Sequence, residues 1–230
     1  MISPAQLNGL LGRFDIPDIK SLPAGLCTDA ASLMGVTDCT LAFIGATSRL
    51  TLCASSDDAM SLDNWQFSLD EGPCLDAART GTSHWADLTD NKGSPWPQLE
   101  RKARLIGYTS LAGIPLQVGG LPFGAMNVQN RSLSFGTENL ADAERVAQAL
   151  SQPIVTRMSE SLPPGFDQAG YDNVHRASGM VSVQMGIPVD DAMAVLRAHA
   201  WSTDQQLIAV AREVTTGALR FGPGTGPSRD

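Results

Sequence analysis

Ser110-Leu-Ala-Gly-Ile-Pro-Leu-Gln-Val118, then Gly119-Gly120, then Leu121-Pro-Phe-Gly-Ala-Met-Asn-Val-Gln129 is the run that sets the fold class. The first part is apolar and the second returns as an apolar segment of similar length. A Gly-Gly pair between them supplies the positive φ angles of a two-residue hairpin turn. The spacing predicts a strand over 110–118 and its antiparallel return over 123–129.

Nearer the N-terminus, Cys39-Thr-Leu-Ala-Phe-Ile-Gly45 and Leu50-Thr-Leu-Cys-Ala54 are two further strand-like runs separated by a hairpin-length connection. Before them, Leu26, Ala30, Leu33 and Met34 recur at helical spacing. Gly72-Pro-Cys74 opens a helical stretch that Gly81 closes, and residues 96–106 again have helical spacing. Asp57-Asp58 reads as a solvated pair in a loop. From Thr137, a capping residue, a long helix carries Leu140, Ala143, Val146, Ala147, Leu150 and Ile154 on one face. Pro153 is expected to kink or shorten it. Hairpins with helices before and after them make an α+β domain with an antiparallel sheet flanked by helices.

Ser161-Leu-Pro-Pro-Gly165 breaks this pattern, because such a run cannot continue a helix. Beyond it the pattern is helical. A helix over 171–185 ends at Gly186, and a second starts after Pro188 with Asp190-Asp191 and runs to about Trp201. A third, capped by Ser202, Thr203 or Asp204 with Gln205 or Gln206 completing a capping box, reaches about Leu219. Leu196, Leu207, Val210, Ala211 and Val214 are core by spacing. Residues 221–230, rich in Gly and Pro, read as a disordered tail. The expected organisation is a first domain over 1–160, whose helix at about 137–158 couples it to the C-terminal part. A linker over 161–169, an all-α three-helix bundle over 170–220 and the tail complete it.

The chain has 230 residues and a formal net charge of −8, which excludes a chain-wide basic field for nucleic acid or anionic membrane but leaves room for a local patch. No run is long and apolar enough for a membrane span, and the first residues lack the basic start and apolar run of a signal peptide. The four cysteines, Cys27, Cys39, Cys53 and Cys74, have no zinc-like spacing. Unpaired thiols and a cytoplasmic location are therefore expected. His84, His175 and His199 are too scattered for a metal cluster.

Two sets of residues carry resemblances. Glu71-Gly-Pro-Cys-Leu-Asp-Ala77, Trp96-Pro97, Ser110-Leu-Ala-Gly-Ile-Pro-Leu116 and Phe123-Gly-Ala-Met-Asn127 together resemble a GAF domain of the kind found in small-molecule sensors of actinobacterial regulators. Ala177-Ser-Gly-Met180, Gly186, Asp191-Ala192, Leu196-Arg197, Ala200, Leu207, Val210-Ala211 and Val214 look like an ANTAR domain, a three-helix RNA-binding antitermination module. GAF followed by ANTAR implies a homodimeric regulator that senses a small molecule of unknown identity and binds stem-loops in nascent RNA. It implies no catalytic residues, no metal and no certain cofactor.

The GAF resemblance puts a ligand pocket between sheet and helices, with Phe43, Trp65, Phe67, Cys74, Trp85, Trp96 and Met126 as candidates and Ser110 and Asn127 as its polar groups. The ANTAR resemblance makes Arg176, Arg197, His199 and Arg212 candidate phosphate contacts, Gln205 and Gln206 readers of base edges, and Trp201 a platform for a splayed base. Trp201 packed as a lid on the bundle is the competing reading. Ser178 stands where the family usually has lysine, and Asp204-Gln-Gln-Leu207 where it has an Asn-Arg-Lys-Leu type of run. From Gly165 onward five arginines and no lysine face seven acidic residues, a net of −2. A second reading is therefore a dimeric interaction protein that no longer binds RNA. A third is a redox enzyme built on Cys74, as in the GAF-like free methionine sulfoxide reductases, because a helix N-terminus lowers a thiol's pKa. His84 follows Ser83 instead of cysteine, which excludes bilin attachment through a Cys-His pair.

Overall fold

The computed structural model describes residues 2–12, 24–45, 49–89, 94–132, 137–161, 169–222 and 225–229. It divides into two compact units, one of residues 1–66 and 70–166 and one of residues 67–69 and 167–230.

The first unit runs α1 (Pro4–Leu11), α2 (Ala24–Met34), β1 (Asp38–Ile44), β2 (Arg49–Ala54), α3 (Asp57–Leu69, except its last three residues), α4 (Pro73–Thr80), β3 (His84–Asp87), α5 (Pro97–Ile106), β4 (Ser110–Val118), β5 (Leu121–Asn130) and α6 (Thr137–Ser161). The strands form one antiparallel sheet in the order β2-β1-β5-β4-β3. Gly119 and Gly120 make the β4–β5 turn with φ of 60° and 78°, the conformation that the Gly-Gly pair predicts.

Alternation sorts the side chains of this sheet onto two faces. Cys39, Leu41, Ala112, Ile114, Leu116, Met126 and Val128 form one core with Leu26, Cys27 and Ala30 of α2 and the stripe Ala143, Val146, Ala147, Leu150 and Ile154 of α6. The buried Ser151 hydroxyl accepts from the Gln117 N–H at 3.0 Å and donates to the Ala147 carbonyl at 2.8 Å, which fastens α6 to β4. Pro153 does not end α6, which continues to Ser161. The opposite face carries α4, whose Cys74 and Ala77 pack on Ala125 and Ile44.

Two expectations are corrected in this unit, and one element is new. Asp57-Asp58 is the first turn of α3, where acidic residues suit the helix dipole, and not a loop. His84–Asp87 is an edge strand that no alternation announces. The cysteines are not all unpaired: Cys27 of α2 and Cys53 of β2 form a disulfide, with Cα atoms 5.9 Å apart, while Cys39 and Cys74 are free and buried. Sequence spacing does not reveal that α2 packs on the inner side of β2. The bond closes a 26-residue span, which by chain entropy is worth about 3.5 kcal/mol. Cys27→Ala/Cys53→Ala is expected to lower the melting temperature by roughly 7–14 °C. Reductant should bring the parent protein to the same value. A melt insensitive to both would show that the bond does not form.

The second unit contains α7 (Ala169–Met185), α8 (Val189–Ser202), α9 (Leu207–Thr216), β6 (Leu219–Gly222) and β7 (Thr225–Arg229). Val174, Ala177, Val181, Ala192, Leu196, Ala200, Leu207, Val210, Ala211 and Val214 fill its core. The third helix begins at Leu207, not at a Ser-Thr-Asp cap. Thr203 and Asp204 instead finish α8: the Thr203 N–H donates to the His199 carbonyl at 3.0 Å, and Asp204 is left-handed at φ 56°. Gln206 occupies the N-cap without a side-chain cap bond, so no capping box forms. Gly217, at φ 82°, closes the helix after Thr216, short of Leu219. The expected tail is also corrected. β6 and β7 pair antiparallel, Phe221 is buried, and its N–H donates to Gln184 Oε1 at 3.0 Å.

Candidate ligand-binding site

The sheet face opposite α2 and α6 is unusually polar for a buried surface. β1 places Asp38 and Thr40 there, β5 Asn127 and Gln129, and β2 Arg49 and Thr51; the register sets Thr40 directly against Asn127 and Asp38 against Gln129. All except Thr51 are buried. α3 contributes the buried Asp63 and Gln66. Gly113 of β4 opposes Asn127 and lets the first turn of α4 lie on the sheet, since a Cβ there would meet the Pro73 carbonyl carbon and oxygen at 2.2 Å.

Its charges are matched internally. Arg49 pairs with Asp63, with side-chain exposures of 2% and 0%, and the Thr51 hydroxyl donates to Asp63 Oδ2 at 2.7 Å. Asp38 accepts from the Ser55 hydroxyl at 2.7 Å and from the Tyr108 hydroxyl at 2.8 Å. Burial, then the hydrogen bond and charge of Asp38, push the Tyr108 phenol upward, so it stays a donor. Gln66 Oε1 accepts the Cys74 N–H at 3.0 Å, satisfying one of the open donors at the start of α4.

Other polar atoms on this face have no partner among the described residues. They include Thr40 Oγ1, Gln66 Nε2, and both the nitrogen and the oxygen of the Asn127 and Gln129 side chains. Each buried, unsatisfied group costs about 1–3 kcal/mol. A functional site is where such a cost is tolerated.

Cys74 sits in the first turn of α4 at this face, completely buried. Burial, reinforced by Asp63, pushes its thiol up, against the smaller effects of Arg49 and the Gln66 hydrogen bond. The lowered pKa expected of a thiol at a helix N-terminus is thus reversed, and with it the basis for a reactive Cys74.

Of the candidates named from sequence, Cys74 and Asn127 lie on the polar face. Met126 and Phe43 belong to the opposite core with α2 and α6, and the register puts Ser110 on that side as well. Trp96 is buried and its Nε1–H donates to Asp76 Oδ2 at 2.8 Å, so it clamps α5 to α4. Trp65 is half-buried with the Lys102 ammonium 3.9 Å from its ring centre. Trp85 is 50% exposed on the edge strand, and Phe67 falls outside the first unit. Thr40, Arg49, Asp63, Gln66 and Gln129 escape the sequence reading. Only β5 offers a signal, the polar residues two apart within an otherwise apolar strand.

In the second unit the RNA candidates separate. Ser178 is fully buried and its hydroxyl donates to the Val189 carbonyl at 2.9 Å, so it faces no solvent and is removed from the contact set. Gln205 Nε2 donates to Glu213 Oε1 at 2.9 Å, and His199 packs edge-on against Phe221 with ring centres 5.5 Å apart. Gln206 is half-buried at the start of α9. Arg176 and Arg212 are exposed, Arg197 is half-buried, and Trp201, one turn beyond Arg197 on α8, is 38% exposed. No group of three metal-ligating side chains occurs among the described residues. Nor is any of their helices long and apolar enough to cross a membrane.

The five-stranded antiparallel sheet with helices on both faces has solved counterparts. The GAF domain of a phosphoenolpyruvate-protein phosphotransferase from Acinetobacter superposes with a TM-score of 0.51 at 14% identity, covering 68% of this chain and 94% of that one. The first unit has the GAF fold. The corresponding Coxiella burnetii domain gives 0.50 at 15% identity, covering 68% and 94%. A free methionine-R-sulfoxide reductase from Neisseria meningitidis, in complex with its substrate, gives 0.51 at 12%, covering 69% and 89%. No protein-family model matches the chain, and no curated protein matches it either. Identities this low establish the GAF fold and nothing finer.

Proposed function

We propose that this chain is a signal-responsive regulator in which the GAF unit binds a small molecule and the three-helix unit acts as an ANTAR-type binder of stem-loops in nascent RNA. The sensing half rests on the unpartnered polar atoms of Thr40, Gln66, Asn127 and Gln129, which call for a ligand on the sheet face. The RNA half rests on the ANTAR-like order of residues from Ala177 to Val214 and on the exposed Arg176, Arg212 and Trp201. On this reading the chain is a homodimer acting where transcripts are made, although the Cys27–Cys53 bond removes unpaired thiols as an argument for the cytoplasm. Ligand and RNA influence each other only if the ligand has different affinity for two states of the chain, and α6, which precedes the second unit in sequence, is the element proposed to carry that difference.

The test is a titration of the full chain against a two-hairpin RNA from the leader upstream of its own reading frame, at two salt concentrations. Affinity should fall with salt, and Arg197→Ala should weaken binding and reduce the logarithmic salt slope by about one. Salt-insensitive or absent binding would overturn the RNA reading. It would favour the alternative of a dimeric interaction protein, which three observations already support: the buried Ser178, the engagement of Gln205 with Glu213, and the net −2 of the segment.

A further inference from the structure

We propose that the sheet face of Thr40, Asn127 and Gln129, with Gln66 opposite, binds an uncharged molecule through a cis-amide edge, an N–H beside a C=O. Lactams, cyclic ureides and the oxo-bearing edge of a nucleobase share that chemistry. The proposal deepens the sensing reading above by naming its ligand class.

Three observations carry it. The first is burial: Thr40, Gln66 and Gln129 are 0% exposed and Asn127 1%, yet six of their side-chain atoms lack a partner. The second is the kind of atom. Asn127 and Gln129 each leave a carboxamide nitrogen and oxygen open side by side, and a carboxamide pairs bidentately with another amide edge. Gln66 is oriented by its bond from the Cys74 N–H, so its open atom is the NH2 donor. Asn127 and Gln129 are two residues apart on one strand, roughly 7 Å, a span that one or two fused rings cover. The third is charge. Arg49 is matched by Asp63, and Asp38 by Arg131 at 3.8 Å as well as by two hydroxyls, so a carboxylate, phosphate or ammonium would find no unpaired counter-charge here. Because the four side chains are buried, admission of the ligand separates the α3–α4 layer from the sheet.

The experiment is calorimetry and thermal shift on the full chain with uracil, hypoxanthine, hydantoin and cyclic diglycine, which distinguish the nucleobase, ureide and lactam sources. At least one should bind one per chain and raise the melting temperature. Two analogues should bind at least tenfold more weakly: the N-methylated form, which lacks the N–H edge, and a carboxylated form such as orotate for uracil. Asn127→Leu and Gln129→Met, apolar replacements of similar shape, should abolish binding while leaving the melting temperature without probe unchanged or higher. Three results would overturn the proposal: no probe binding, equal binding of the methylated analogue, or a lowered melting temperature in both variants without probe. The last would mean that water already satisfies these groups. Probe binding without any change in RNA affinity would support the ligand class and count against the coupling. Loss of RNA binding with probe binding intact would overturn only the RNA reading.

Discussion

Gly113→Ala is expected to cost about 4 kcal/mol or more, a large share of the roughly 5–15 kcal/mol by which a domain is stable. A Cβ at this position lies 2.2 Å from the Pro73 carbonyl carbon and oxygen and 2.5 Å from the Cys74 nitrogen. All three are backbone atoms, so no rotamer change relieves the overlap. Relief requires α4 to lift from β4, which uncovers Cys74, Ala77, Ala125 and Ile44. Ordinary overpacking costs about 1–3 kcal/mol, and the loss of a docked helix adds to it. Gly120→Ala is the control: φ is 78° there, but nothing lies within 4 Å, so only backbone strain of about 1 kcal/mol is expected. Urea denaturation followed by circular dichroism measures both. A Gly113→Ala midpoint equal to that of Gly120→Ala would mean that the first turn of α4 does not rest on the sheet.

Asp63→Ala is expected to destabilise by about 3–5 kcal/mol, because it strands the Arg49 guanidinium in the interior. The Thr51 hydroxyl loses its acceptor in the same step. Arg49→Met/Asp63→Leu should recover most of the loss, since a buried ion pair replaced by apolar groups of similar volume is often neutral or better. With Asp63→Leu and Arg49→Met as the single changes, the double-mutant cycle therefore reports a large coupling. Additive effects of the two single changes would show that the pair is hydrated and does not belong to a closed layer.

The parts of the fold that sequence shows best are those in which apolar spacing and turn chemistry agree. The β4–β5 hairpin has Gly119-Gly120, α6 has its stripe from Leu140 to Ile154, and Leu196, Leu207, Val210, Ala211 and Val214 are buried at the positions their spacing marks. α3 is invisible for a reason tied to the site. Its inward positions mix Ala59 and Leu62 with Asp63 and Gln66, so the polar groups that matter break the apolar period that would reveal the helix. Arg49 looks like a turn residue because its partner lies on a different element. The Gly- and Pro-rich end hides a hairpin, anchored by the buried Leu219 and Phe221. Asn127 is legible, and Gln129, one pleat further on the same face, follows from the same alternation.

The strand order β2-β1-β5-β4-β3 bears on how this protein emerges from the ribosome. β1 and β2 are made early, but the central neighbour of β1 is β5, which appears about 85 residues later, roughly 4–17 s at ordinary translation rates. Through that interval the nascent hairpin presents an open edge, Cys39 to Ile44, with apolar side chains on both faces. α6, which covers one of those faces, follows later still. The sheet therefore cannot close until residue 130 has cleared the exit tunnel, and shielding of this edge by chaperones is most needed in that window.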